Sequence, residues 1–589
     1  MHPQPDGYAA AGIKVKTNMK PLHGKANKFL RTAAVFLAVC ILPFAFNACG
    51  EKPSLNTEVT VKVIFDLNYE GAPATEPADK TVTVGGKYGA LPDPEREGWV
   101  FDDWFLRSDG TGGRIRAATT VERNQNHTLY ANWVAEPPGV IDPDPPTVEP
   151  PKDSPYALPV YPNDVKINIG AWQPFHLDNP QRFADIANAG FTFILPLTDA
   201  MNFGDNPSAA SAIMNRAEAA GLKVIVSDTD LVYGWNEKNM HLYENHAAFM
   251  GVHIIDEPAK LTDYNNSSYC PGSITMTTKR NAFYNRVSAD KIFFVNLLPP
   301  TVTGSAGDSF YFGMSYENYL KSFLNIGLNM LSYDNYALMN GGSIKSFYLS
   351  NLETARNTAK GGGVPLHNFI LSVPHKTSSN NYRSPSEAEL RWQIAVNCAY
   401  GVNAFSYFTY QTPQLTSIPS GETYGDALLS REGVKTPLYA LAQKVNREML
   451  AWDHVYLKYA WQKTYAIGSN SLFAPSGHPA LANRYASGIT SAGVIDGISS
   501  LSSTESILAG VFKDGDGNNG YMLTNAANPS ETKTAAVTVK FSGAYKGALT
   551  YEKGVPNIIN LEEDGSAVIG LAPGEGKFII PLKLKEIPT

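Results

Sequence analysis

A chain of 589 residues, 43% hydrophobic and 17% charged, is globular and too long for one core, so its length suggests roughly three or four domains. A formal net charge of −7 gives no electrostatic case for a nucleic-acid partner. Thirty Tyr and eight Trp offer flat apolar faces with polar tips, which suit sugar-binding clefts and also fill ordinary cores.

At the N-terminus, Lys25, Lys28 and Arg31 precede an apolar stretch over residues 32–46 that is too short for a confident membrane span and reads as a signal peptide. Met19 begins a more conventional signal than Met1 does. The stretch ends Ala45-Phe-Asn-Ala-Cys49-Gly50, which resembles a bacterial lipobox, with Phe46 where Leu is usual. The resemblance implies that residues 1–48 are removed, that Cys49 is lipidated, and that residues 49–56 tether an extracytoplasmic protein to the outer membrane or cell surface. More than one acyl chain would make that anchor stable; an ordinary secreted protein with an incidental Cys is the alternative. Cys40 leaves with the signal, so Cys270 and Cys398 remain, without a disulfide framework or zinc spacing. Cys398 lies in a helix-like run and reads as a small buried hydrophobe.

Residues 57–134 form a first module. Residues 59–65 and 80–84 alternate as strands do, with Gly85-Gly86 as a turn between strand-like runs. Val-Gly-Gly-Lys-Tyr at 84–88, Arg-Glu-Gly at 96–98, Asp-Trp at 103–104 and Leu-Tyr-Ala-Asn-Trp at 129–133 resemble the internalin-type Listeria-Bacteroides repeat. That resemblance implies a small β-grasp-like spacer or adhesion module without catalytic residues. Residues 135–162 hold repeated Pro clusters and read as a semi-rigid extended linker.

Eight strand-like runs follow, at residues 166–172, 191–196, 223–227, 251–255, 291–295, 329–333, 368–373 and 402–407. Helix-like segments separate them, for instance 182–189 before Gly190 and 211–220 before Gly221, with glycine where a helix C-terminus favours it. Eight such units within residues 163–450 have the count and size of a (β/α)8 TIM barrel. The fourth run, Gly251-Val-His-Ile-Ile-Asp-Glu-Pro258, stops on two adjacent carboxylates and a proline that cannot continue a ladder. Catalytic groups of such barrels sit where strands end and the loops converge, so Glu257 is the first candidate.

The other runs also end in polar or aromatic groups. Trp172 closes the first, Asp228 and Asp230 follow the third, and Asp256 stands beside Glu257. Asn296 closes the fifth; Tyr333, Asp334 and Tyr336 close the sixth. His375 follows the seventh, and Tyr407 and Tyr410 the eighth. Singly, each has a plainer explanation: helix caps for Asp228 and Asp230, a structural histidine for His375, core for Trp172. At one rim they read as a site, with Glu257 and Asp334 as the carboxylate pair that sugar hydrolysis needs and the rest as substrate contacts.

Asp-Glu-Pro after strand four, Tyr-Asp-Asn-Tyr after strand six, and the stretch Ser386-Glu-Ala-Glu-Leu-Arg-Trp-Gln393 leading into strand eight resemble barrel glycoside hydrolases of clan A. The resemblance implies an acid/base role for Glu257. It departs in two places: Asp256 stands where the clan has Asn, and Ser372-Val-Pro-His-Lys376 offers no acid where the clan has its nucleophile. Asp334 is therefore the second carboxylate, with stereochemistry left open. No cofactor is expected, because neither a phosphate-cradling glycine loop nor a metal cluster occurs. Residues 451–589 turn to short strands and read as a β-sandwich, similar to the C-terminal domain that often packs against hydrolase barrels. The expected molecule is an α/β protein: a TIM barrel between a β-grasp-like module and a β-sandwich. Its expected work is cleavage of an oligo- or polysaccharide; the alternative is a non-catalytic surface glycan-binding protein on the same scaffold.

Overall fold

The computed structural model describes residues 59–586 except 74–76, 93, 95, 97–98, 110–113, 118, 136–153, 197–206, 301–312 and 416–417. The expected signal peptide, Cys49, the tether and most of the Pro-rich linker lie outside the described residues. What is described falls into two compact units that divide near residue 140.

The first unit is a mixed sheet of β1 (Thr60–Asp66), β2 (Lys80–Thr83), β3 (Trp99–Phe105), β4 (Arg114–Ile115) and β5 (His127–Ala135), in the order β2-β1-β5-β3-β4. Alternation puts Val61, Val63 and Phe65 of β1 on one buried face. There Phe65 meets Trp104 edge-on at 4.8 Å.

The second unit begins with a closed barrel. Its strands are β6 (Asn168–Trp172), β7 (Phe193–Leu195), β8 (Lys223–Ser227), β9 (Phe249–Asp256), β10 (Ile292–Leu297), β11 (Leu331–Tyr333) and β12 (Leu366–Leu371). The short β13 (His375–Lys376) and β14 (Asn381–Tyr382) precede the eighth barrel strand, β15 (Ala404–Phe408), and β16 (Thr423–Tyr424) follows it. All eight barrel strands pair in parallel, and β15 closes on β6. This is the TIM-barrel architecture that the eight apolar runs predict. The strands are apolar on both faces because one face fills the barrel and the other meets the helices.

The helices are α1 (Gln181–Asn188), α2 (Pro207–Ala219), α3 (Thr229–Val232), α4 (Leu261–Asn265), α5 (Met276–Tyr284), α6 (Tyr316–Leu324), α7 (Tyr348–Gly361), α8 (Glu387–Ala399), α9 (Pro437–Leu450) and α10 (Asp453–Tyr456). Local chemistry sets their ends. Ser386 and Glu389 form a reciprocal capping box at the start of α8. Gly190 takes a φ of +78° just beyond α1, where a side chain would also meet Asn446 at 2.8 Å.

The chain ends in two sheets, built from β17 (Ala460–Ile467), β18 (Arg484–Tyr485), β19 (Ile498–Ser503), β20 (Ile507–Lys513), β21 (Asn519–Asn525), β22 (Ala535–Phe541), β23 (Gly547–Glu552), β24 (Val555–Asn560), β25 (Ser566–Leu571) and β26 (Gly576–Leu582). Seven strands run in the order β18-β17-β20-β21-β26-β23-β24, and β19-β22-β25 form the second sheet. Ile467, Leu501, Ile507, Val537 and Ile569 pack between them. The outer face of the larger sheet lies against α8, and Gly510 allows it: a Cβ there would stand 2.3 Å from the Ala399 carbonyl oxygen.

One part of the expected linker is not a spacer. Tyr156 is buried, bridges antiparallel to Leu584, and its hydroxyl reaches the Lys546 carbonyl oxygen (2.9 Å) and Asn560 Oδ1 (2.6 Å). An aromatic ring with a polar tip finds a sheet edge here, where the proline content around it suggested only extended chain.

Candidate active site

Adjacent residues of a regular strand point to opposite faces, so Asp256 and Glu257 cannot both serve one mouth without a backbone adjustment. The adjustment is visible. Glu257 has a φ of +47°, a left-handed conformation that costs a non-glycine residue about 1–3 kcal/mol. Its N–H still donates to the Asn296 carbonyl oxygen (2.8 Å), so the pairing of β9 with β10 runs one residue past the strand. Both carboxyls consequently stand within electrostatic reach of Asp334, which follows β11.

Asn296 at the end of β10 holds the group together. Its Nδ2 donates to Asp256 Oδ1 (2.9 Å) and Asp334 Oδ1 (3.1 Å), while its Oδ1 accepts from Ser332 Oγ (3.0 Å). Ser332 Oγ lies 2.9 Å from His367 Nδ1, and His367 Nε2 lies 2.9 Å from Ser406 Oγ. With the Ser332 proton committed to Asn296, Nδ1 of His367 carries the hydrogen and Nε2 accepts from Ser406. A buried polar chain thus fixes the asparagine amide from inside the barrel. Burial pushes His367 down to about 3, so it stays neutral.

The Glu257 carboxyl and the Tyr336 hydroxyl both lie beside Asp334, close enough to act on its titration. Burial raises the Glu257 carboxyl well above its ordinary value; the charges of Asp334 and Asp256, and then the charge of Glu422, raise it further. Burial raises Asp334 too, but the bond from Asn296, the neighbouring Tyr336 and Glu257 side chains and the Lys345 ammonium favour its charged form. The pair therefore shares one proton, held on Glu257. Asp256 is also raised, by desolvation and then by Asp334, with Asn296 opposing. Solvent reaches Asp256, yet the walls of the mouth displace much of the water that would hydrate its charge.

Aromatic side chains wall the mouth. Tyr336 stacks on Phe408 (5.0 Å) and meets His375 edge-on (5.7 Å), and His375 lies flat on Tyr424 (5.1 Å). Pairing of β13 with β14 and β16 sets this box. Among the described residues the one hydrogen-bond partner of the His375 ring is the Val373 carbonyl oxygen, to which Nδ1 donates (2.9 Å), and burial pushes the ring down to about 4. Lys345 Nζ bonds to Tyr382 Oη (3.1 Å) and Asn335 Oδ1 (3.3 Å), and burial brings it down to about 8.

Of the predicted residues, the structure brings together Glu257, Asp334, Asp256, Asn296, Tyr336 and His375. It does not bring Asp228, Tyr333, Tyr407 or Tyr410 to them. Asp228 is fully buried as the N-cap of α3, accepting from Asp230 N (3.0 Å) and Tyr243 Oη (3.0 Å). Tyr407 bonds Asn446 Oδ1 (2.7 Å) on α9, and Tyr410 packs on Phe191. Both are fully buried away from the mouth, as is Tyr333, whose neighbours Ser332 and Asp334 take the inward positions. Trp172 is 2% exposed and packs edge-on to His253 and Phe369, so it is barrel core and not a contact surface. Lys345, Phe408, Tyr382, Tyr424 and Glu422 were not predicted. Phe408 was findable, because Ser406 two residues earlier faces inward; the other four come from loops and short strands without a period. Among the described residues, no group of three or more His, Cys, Asp or Glu side chains is arranged to hold a metal ion.

Residues 62–132 match the family model of the Listeria-Bacteroides repeat domain. No curated protein matches the chain. Among solved structures, the β-galactosidase from the psychrophilic Marinomonas ef1 is similar at 10% identity and a TM-score of 0.33, over 49% of this chain and 60% of that one. For the polyextremophilic β-galactosidase from the Antarctic haloarchaeon Halorubrum lacusprofundi the figures are 10%, 0.34, 53% and 63%. For the β-galactosidase from Bacillus circulans sp. alkalophilus they are 10%, 0.39, 71% and 99%. The chain thus spans less than two thirds of the first two proteins. Likeness this weak carries no weight for function, which rests on the geometry of the mouth.

Proposed function

We propose that the chain is a cell-envelope glycoside hydrolase, lipid-anchored through Cys49, with Glu257 as proton donor and Asp334 as the second carboxylate. The observation that carries this reading is the close placing of the Glu257 and Asp334 carboxyls at the C-terminal end of a TIM barrel, with the proton favoured on Glu257 and Lys345 favouring charge on Asp334. Two carboxyls pushed apart in acidity are what acid and base roles at one bond require. In the reaction, the glycosidic oxygen accepts the Glu257 proton. As the C1–O bond breaks, Asp334 either attacks C1 to form a glycosyl ester, which water then hydrolyses while Glu257 takes that water's proton, or takes the proton of an attacking water and passes it to solvent as Glu257 is reprotonated from solvent. The carboxyl separation with sugar bound, about 5–5.5 Å for retention or about 6.5–9.5 Å for inversion, would name the stereochemistry. The aromatic walls at Tyr336, Phe408 and Tyr424 suit the apolar faces of sugar rings.

A glycan-binding protein without catalysis is the second reading, favoured by the missing acid after β12. Digestion of a glycan panel separates the two. An enzyme releases new reducing ends that the Glu257→Gln variant does not release; a binder retains glycan unchanged in both forms.

A further inference from the structure

A second concave site lies on the opposite face of the barrel. Residues 363–365 lead into β12, and Gly401 and Asn403 lead into β15, so the cavity they line opens at the N-terminal ends of the strands. The C-terminal sheet supplies its other wall through Trp461, Gln462 and Phe512, with Tyr459 just ahead of β17. Its volume is about 410 Å³, within the range of roughly 300–1,000 Å³ common for small-molecule sites.

Its charge is one-sided. Arg356 and Lys360 stand one turn apart on α7, each 5.1 Å from the Trp461 ring centroid. Lys463 is close enough to act on Lys360, and like charges so placed repel. No carboxylate lines the cavity, and among the described residues none of these three cations forms an ion pair. Arg356 is 8% exposed; its Nη1 makes one long bond to the Gly401 carbonyl oxygen (3.3 Å), and its buried Nε has no partner. A buried guanidinium with an unused donor, beside an ammonium and an indole face, is half of a recognition site. The missing half is an acceptor of opposite charge.

We propose that this cavity binds a small oxyanion carried on a ring-sized polar body, the chemistry of an acidic monosaccharide. The guanidinium and ammonium would take the oxyanion, Asn403 and Gln462 offer neutral hydrogen-bonding groups to hydroxyls, and Tyr459 and Phe512 wall the ring. The site stands apart from Glu257 and does not rest on the hydrolase reading.

Titration calorimetry of the full chain with glucuronate, glucose 6-sulfate, glucose and inorganic sulfate tests it. At least one acidic sugar should bind and glucose should not, and which acid binds names carboxylate or sulfate as the oxyanion. Affinity should fall as salt rises. Lys360→Met, at an exposed position that tolerates change, should weaken binding about tenfold, or about 1.4 kcal/mol. Arg356→Met should abolish it if the variant folds, and Glu257→Gln should leave it unchanged. No acidic sugar bound at about 10 mM, roughly the weak limit for a specific site, overturns the proposal. So does glucose or bare sulfate binding as tightly as the acidic sugars, binding indifferent to Lys360→Met, or binding lost through Glu257→Gln.

Discussion

At the scale of single residues, Glu257 combines two features that work against stability: a left-handed backbone and a carboxyl beside two other acids. Both suit the proposed role in proton donation. Glu257→Gln keeps the size and removes the proton, so hydrolysis of substrates with poor leaving groups should slow by a factor of about 100 to 10,000. Aryl glycosides with activated leaving groups should lose much less, and an equal loss on both substrate classes would refute the donor role. Asp334→Asn should abolish turnover on both classes, because the attacking group or its base is gone. Stability should move the other way. Folding raises the Glu257 carboxyl above its unfolded value, so in the window between the two the folded chain holds a proton that the unfolded chain has released. Stability therefore falls as pH rises through that window. Glutamine has no proton to lose, so Glu257→Gln should melt at a higher temperature than the parent, with a gain that grows as pH rises above the ordinary carboxylate range. Calorimetric scans showing no gain at the higher pH would mean that the carboxyl is not held against its charge.

At the scale of elements, the site depends on how closely β9 lies against β10. At Gly251 the two strands leave no room for a side chain: a Cβ there would stand 2.1 Å from the Ile292 carbonyl oxygen. Backbone cannot yield as a flexible side chain can. Gly251→Ala should cost at least about 1–3 kcal/mol in denaturant melts and should lower activity as well, because the same pairing ends in Glu257 and Asn296. Unchanged stability would show that the strands separate freely. The barrel strands were legible in the sequence because parallel strands buried on both faces read as unbroken apolar runs, and all eight runs overlap the strands observed. The same property hid their orientation. Where both faces are apolar, alternation does not tell interior from exterior, and Tyr333, Tyr407 and Tyr410 were expected at a mouth that they turn away from. Glu257, Asp334 and Asn296 were legible because polar groups at the ends of apolar runs have few other places to go. Tyr382 and Tyr424 were not, because their positions depend on the pairing of β13 with β14 and β16 across more than forty residues of sequence, and Lys345 reaches the mouth from the loop ahead of α7.

At the scale of the whole molecule, the proposed anchor and the spacer ahead of the barrel make separate predictions. Cys49→Ser should move the protein from the membrane fraction to the soluble one, and retention in membranes would remove the lipid anchor; no helix among the described residues is long and apolar enough to span a membrane. The spacer has a boundary that the structure makes sharp. Ala157 N–H donates to the Lys583 carbonyl oxygen (3.0 Å) and Lys585 N–H donates to that of Pro155 (2.8 Å), so residues 155–157 extend the C-terminal sheet. The ring of Tyr156 covers Gly547, where a Cβ would approach it to 2.6 Å. A chain beginning at residue 154 keeps this strand and all of the mouth, so it should melt like the parent unit and cleave soluble glycan at the parent rate. A chain beginning at residue 159 loses the strand and a buried aromatic side chain, and should be less stable by about 3–5 kcal/mol. Denaturant melts and reducing-end assays on the two shortened proteins decide the matter. Equal stability would make the Tyr156 contact incidental, whereas a folded protein beginning at residue 154 that has lost activity on soluble glycan would draw the N-terminal module into catalysis.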